Sequence, residues 1–113
     1  MNEAQKQAIN NQFEVIKKIV EDVNSFVESS NRVLEILEME LTRLKELKVN
    51  ESYEEGFLKY LELKRSIKGK VSILKASIKN LEKTIKKTPL PQIKERMLLD
   101  LNIAKNKLKT LNL

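Results

Sequence analysis

The sequence predicts an all-α fold: an elongated antiparallel three-helix bundle. In it, two long helices form a coiled-coil-like hairpin and a shorter third helix packs alongside. Three observations carry the prediction. The 113 residues include only two Gly, two Pro and 4% aromatics, while 34% are charged and 41% hydrophobic. Such a Leu-, Ile-, Lys- and Glu-rich composition with few turn formers suits long helices. Only two segments interrupt the helical pattern. Between them, apolar residues alternate at spacings of three and four, the heptad signature of a coiled-coil seam. That periodicity also argues against a disordered chain. The length suits a single helical domain spanning 1–113.

The first helix is expected over about residues 4–48. Its apolar series is Ile9, Phe13, Ile16, Val20, Val23, Val27, Leu34, Leu37, Leu41 and Leu44, with Ser30 as its polar member. Whether this helix is continuous or bent near Ser29–Asn31 is left open by the pattern. The first interruption is Val49-Asn50-Glu51-Ser52. Ser52 followed by Glu55 reads as a capping box that starts a second helix, over about 53–87. Its series is Phe57, Tyr60, Lys64, Ile67, Val71, Leu74, Ile78, Leu81 and Ile85. The second interruption is Thr88-Pro89-Leu90-Pro91, where Thr88 can cap and Pro is tolerated in a first turn. The third helix is then expected over about 91–111, with Ile93, Met97, Leu101, Ala104, Leu108 and Leu111 inward.

Folding helix 2 back on helix 1 through the turn near residue 50 aligns the two seams. Leu44 meets Phe57, Leu41 meets Tyr60, and Leu37 meets Lys64. Leu34 meets Ile67, Ser30 meets Val71, Val27 meets Leu74, and the layers continue to Ile16 against Ile85. Charge suits this pairing. Residues 1–56 hold seven Lys/Arg against twelve Asp/Glu, a net of −5, and residues 57–113 hold fifteen against four, a net of +11. Acidic and basic flanks side by side favour register, although each exposed pair contributes well under about 1 kcal/mol. Glu14, Glu21, Glu28 and Glu35 line one flank. Spaced about 10 Å apart along the axis, they suit pairing with Lys rather than metal binding or acid–base work.

Helix 3 follows a short loop and should run antiparallel to helix 2. Its roughly 30 Å falls well short of helix 1 at roughly 65 Å. It should stop near Ile67 and Leu34, with Ile19, Phe26 and Val33 widening the apolar stripe of helix 1 where helix 3 covers it.

A two-helix tip remains, about 35–66. There Leu47, Leu58, Leu61 and Leu63 lie off the seam and Tyr53 opens helix 2. Burying one such side chain contributes roughly 1.5–3 kcal/mol. These five are the candidate partner-binding residues, the partner being another protein or a second copy. The competing reading makes them ordinary core. A candidate anion-binding row is Lys75, Lys79, Lys83 and Lys87 at i, i+4 spacing, which would give the chain a nucleic-acid-associated role.

Several classes are excluded or disfavoured. With no Cys and no His, the chain cannot form disulfides or use imidazole or thiolate chemistry. Almost no Gly-rich loop exists to cradle a ligand. The chain is therefore expected to be non-enzymatic, with no catalytic residues, metal, cofactor or small-molecule substrate. No apolar run approaches the roughly 20 residues that span a bilayer, and no secretory leader is visible, so a cytoplasmic location is expected. Without Trp, the chain carries neither the tryptophan that marks spectrin-type repeats nor the Trp-x-Gly turn of small type VII secretion substrates. The expected function is a helical protein–protein interaction module (adaptor, assembly subunit or small chaperone) that holds a partner on a helix face near the tip.

Overall fold

The computed structural model describes residues 2–111 and 113. It holds three helices: α1 over Glu3–Glu46, α2 over Asn50–Ile85 and α3 over Pro91–Leu108. All three touch one another, and the molecule measures 69 × 18 × 16 Å. The long dimension follows from α1, since 44 residues at 1.5 Å each give about 66 Å. Helix α1 is unbroken through Ser29–Asn31. Ser29 Oγ donates to the Ser25 carbonyl at 2.5 Å, a back-bond that keeps a polar side chain within the helix.

The start of α1 is fixed by a capping box absent from the sequence-based expectation. The Asn2 side chain accepts from the Gln5 backbone N–H at 2.8 Å, and the Gln5 side chain accepts from the Asn2 N–H at 3.1 Å. The box expected at Ser52 does not form. Helix α2 begins at Asn50 behind Val49, without a side-chain cap, so Ser52 lies inside it. The reason is the turn. Leu47 closes α1, the Lys48 N–H donates to the Lys45 carbonyl at 3.2 Å, and the Val49 N–H donates to Leu44 at 3.1 Å. These two bonds are those of a Schellman motif. Lys48 takes the left-handed position that the motif requires, with φ 59°. The Val49 carbonyl then accepts the Tyr53 N–H at 3.0 Å, so α2 is under way three residues early. Nor does Thr88 cap α3; its N–H donates to Ile85 at 2.9 Å. Leu90 stands at the N-cap and Pro91 occupies the first turn.

The core is the expected seam. Ile16, Val23, Val27, Leu34 and Leu41 of α1 are buried, with Tyr60, Ile67, Val71, Ile78 and Ile85 of α2 and Met97, Leu101, Ala104 and Leu108 of α3. Ser30 is the buried polar member, and Leu111 is buried just past α3. Contacts across the hairpin lie within about a turn of the expected layers. Tyr60 bonds Glu38, and Leu41 Cδ2 stands 3.1 Å from where a Cβ on Gly56 would lie. The outermost layer is open: Phe57 is 40% exposed and Leu44 only half-buried.

Two expectations about flanks are corrected. Ile19 and Phe26 are half-buried, but Phe26 shares a groove with Lys70 and Leu74 of α2, and Lys70 Nζ sits 5.2 Å from its ring centroid. Helix α3 instead meets the opposite flank of α1, where Phe13, Val20 and Lys17 face Arg96 and Ile103. Val33 is exposed. The stripe therefore widens toward α2, not toward α3. In addition, no ion pair among the described residues joins α1 to α2. Three pairs lie within single helices, Lys6–Glu3, Arg43–Glu40 and Arg96–Asp100. One, Lys105–Glu82 at 2.5 Å, joins α3 to α2. Glu14, Glu21, Glu28 and Glu35 are all exposed. Solvation of long flanking side chains outweighs weak surface attraction.

Candidate interaction surfaces

The tip is where α1 and α2 continue without α3. Of the expected partner-binding residues, Leu47, Leu58 and Leu61 are exposed, Leu58 at 62%. Tyr53 and Leu63 are half-buried against the core. The sequence reading missed Ile36, Met39, Val49 and Phe57, all exposed; Met39 reaches 68%. Ile36 and Met39 fall off the heptad seam, so their apolar character at outward positions was the available signal. Eight of thirteen exposed large hydrophobics among the described residues fall within 33–61. They are therefore concentrated at this end.

The flank bearing α3 can be followed along α2. Glu82 faces α3 through its bond to Lys105. Positions 75, 68 and 61 repeat its heptad column, because seven residues return nearly to the same face. Lys109 lines the same groove as Lys75, which places the end of α3 near that level. Leu61 is fourteen residues further on, about 21 Å. Thus Leu61, with Phe57 one turn beyond, borders the trough that α3 fills lower down and leaves empty at the tip. The other wall holds Glu38. Its carboxylate accepts the Tyr60 hydroxyl, while Lys64 Nζ lies 4.8 Å from the Tyr60 ring centroid. Lys64, a polar seam residue, therefore folds over an aromatic ring. The Glu38 bond, then burial, hold the Tyr60 hydroxyl above its ordinary pKa, against the opposing charge of Lys64. Tyr53, Phe57 and Tyr60 form a ladder with centroids 6.1 and 6.5 Å apart, which steadies the half-exposed Phe57.

The candidate anion-binding row is divided by the structure. Lys75 and Lys79 line a groove between α2 and α3 with Glu82, Lys105 and Lys109. Lys83 and Lys87 are exposed but are not among that groove's lining residues. An i, i+4 repeat advances 400° per step, so it rotates about 40° each time and leaves the groove.

Among the described residues no helix is long and apolar enough to cross a membrane, and no group of three His, Cys, Asp or Glu is placed to hold a metal ion. The fold defines the class, an elongated all-α three-helix bundle. No family model, curated protein or solved structure matches the chain.

Proposed function

We propose that this chain is a non-enzymatic helical interaction module, an adaptor, assembly subunit or small chaperone, that binds a protein partner at the hairpin tip. One observation carries the reading: the third-helix position is empty over the tip, and exposed Phe57 and Leu61 border it. A helix from the partner would complete there the three-helix cross-section that α3 completes at the base, a helix-in-groove mode. Leu47 and Leu58 extend the apolar surface outward. Each side chain so covered contributes roughly 1.5–3 kcal/mol before the ordering cost of association.

The test pairs co-purification from the native cell with light scattering on the isolated chain. Leu58→Ala/Leu61→Ala and Phe57→Ala should abolish association while helicity and melting stay near wild type, since exposed substitutions shift stability by only about 0.5 kcal/mol. A chain that stays monomeric and partnerless, or variants that unfold, would overturn the proposal.

A further inference from the structure

We propose that the groove between α2 and α3 binds a linear phosphate chain, as presented by a single-stranded nucleic acid backbone or by inorganic polyphosphate. Lys75 and Lys79 stand one turn apart on α2, and Lys105 in the last turn of α3 and Lys109 just past its end stand one turn apart; all four line this groove. The helices are antiparallel, and Lys105 reaches across to Glu82, so Lys109 lies toward the Lys75 end of the groove. Lys75 and Lys79 are thus set about 6 Å apart along one side of the groove, with Lys105 and Lys109 on the other. The groove's single carboxylate, Glu82, is engaged by Lys105 at 2.5 Å. Among the described residues no carboxylate lies within ion-pair distance of Lys75, Lys79 or Lys109. The same flank of α2 carries Lys68, at the heptad column of Lys75, and Lys86, at that of Lys79, both exposed. Positive charge thus runs as a line along the groove.

The shape selects the ligand. The groove runs between two adjacent packed helices, with Lys75 and Lys79 on one side and Lys105 and Lys109 on the other, so a single strand lying along it meets lysines from both. A duplex or a flat bilayer would meet only the rims. The lining holds lysines and one glutamate, with no aromatic or amide group to stack on or read a base. Binding should therefore follow backbone charge and ignore sequence. The site lies apart from the tip, so it stands or falls independently of the protein-partner reading.

The test is fluorescence anisotropy with labelled oligothymidine of about 20 nucleotides, competed with inorganic polyphosphate, on the full chain. With three phosphate contacts, from Lys75, Lys79 and Lys109, log affinity should fall against log salt with a slope of about −2, or about 20-fold between 50 and 200 mM. Two double variants with equal charge change separate groove from bulk charge. Lys75→Glu/Lys79→Glu should weaken binding at least about tenfold, and Lys83→Glu/Lys87→Glu by no more than about threefold. Glu82→Gln should tighten it by removing the groove's one negative charge. Phe57→Ala should leave it unchanged. Equal binding of two base sequences supports backbone recognition. Competition by polyphosphate at the same variant dependence supports a shared phosphate-chain site, and the tighter of the two probes identifies the source. Absence of binding at 50 mM salt, equal losses in the two double variants, or binding to phosphatidylserine vesicles but not to oligothymidine would each overturn the assignment.

Discussion

Lys48 occupies a conformation that suits another residue. Its φ of 59° puts an L side chain against its own backbone, at a cost of roughly 1–2 kcal/mol. The Schellman bonds around it require that geometry. Lys48→Gly removes the clash but adds freedom to the unfolded chain. The net should be a gain of about 0.5–1 kcal/mol, read as a higher urea midpoint with an unchanged slope; a lower midpoint would refute it. Tyr60 gives a second test at this scale. Its hydroxyl titrates above its ordinary value because Glu38 accepts its hydrogen bond and burial disfavours the phenolate. A raised folded pKa means that this contribution is fully present below about pH 10, the unfolded value, and is lost as pH climbs through the folded one. Tyr60→Phe should therefore be less stable than wild type at pH 8, with the gap narrowing above pH 10. A gap independent of pH would exclude this origin. The cost at pH 8 should be modest, about 1 kcal/mol, because exposed Glu38 regains water.

At the scale of the helices, the two glycines of α2 make a matched pair. Nothing lies within 4 Å of a Cβ on Gly69, whereas one on Gly56 would stand 3.1 Å from Leu41 Cδ2. Ala at either site gains helix propensity of about 1 kcal/mol. Gly69→Ala should show that whole gain in thermal melting. Gly56→Ala should show less, the shortfall being the cost of moving Leu41 in the core. Equal gains would mean that the tip packs more loosely than described. Much at this scale was legible beforehand. Spacings of three and four named every buried seam residue, because periodicity is a property of each helix alone. What periodicity does not contain is which neighbour a flank meets. The pattern of α1 alone points Phe26 toward α3, yet it faces α2; spacing alone joins Lys83 and Lys87 to Lys75, from which helical rotation carries them away. The capping box at Ser52 was sound local chemistry. A Schellman turn had already passed the chain into α2, and the cap was not needed. Of the candidate tip residues, Tyr53 and Leu63 proved part of the packing. A pattern of apolar positions does not tell where a third helix ends.

The whole molecule is uneven along its length. At the base three helices enclose Ile78, Ile85, Met97 and Leu101, which have essentially no solvent exposure. Toward the turn the cross-section falls to two helices, and the buried residues thin to Leu41 and Tyr60, both 8% exposed. Fewer buried contacts mean a smaller free energy of local opening. Amide protons of residues about 36–60 should exchange orders of magnitude faster than those of about 16–27 and 71–85, whose protection should approach that of global unfolding. Uniform protection from base to tip would show that the hairpin opens as one unit.

That gradient has a consequence for how the molecule could hold something. The turn at Leu47–Val49 ties two helix ends that only each other support. Joined there, the two ends loosen as a pair while the base stays packed. A guest lying in the vacant third-helix position would slow that loosening as well as cover the apolar sides. Its grip would then be measured in part by how far exchange is quieted there, about 60 Å from the far end of α1.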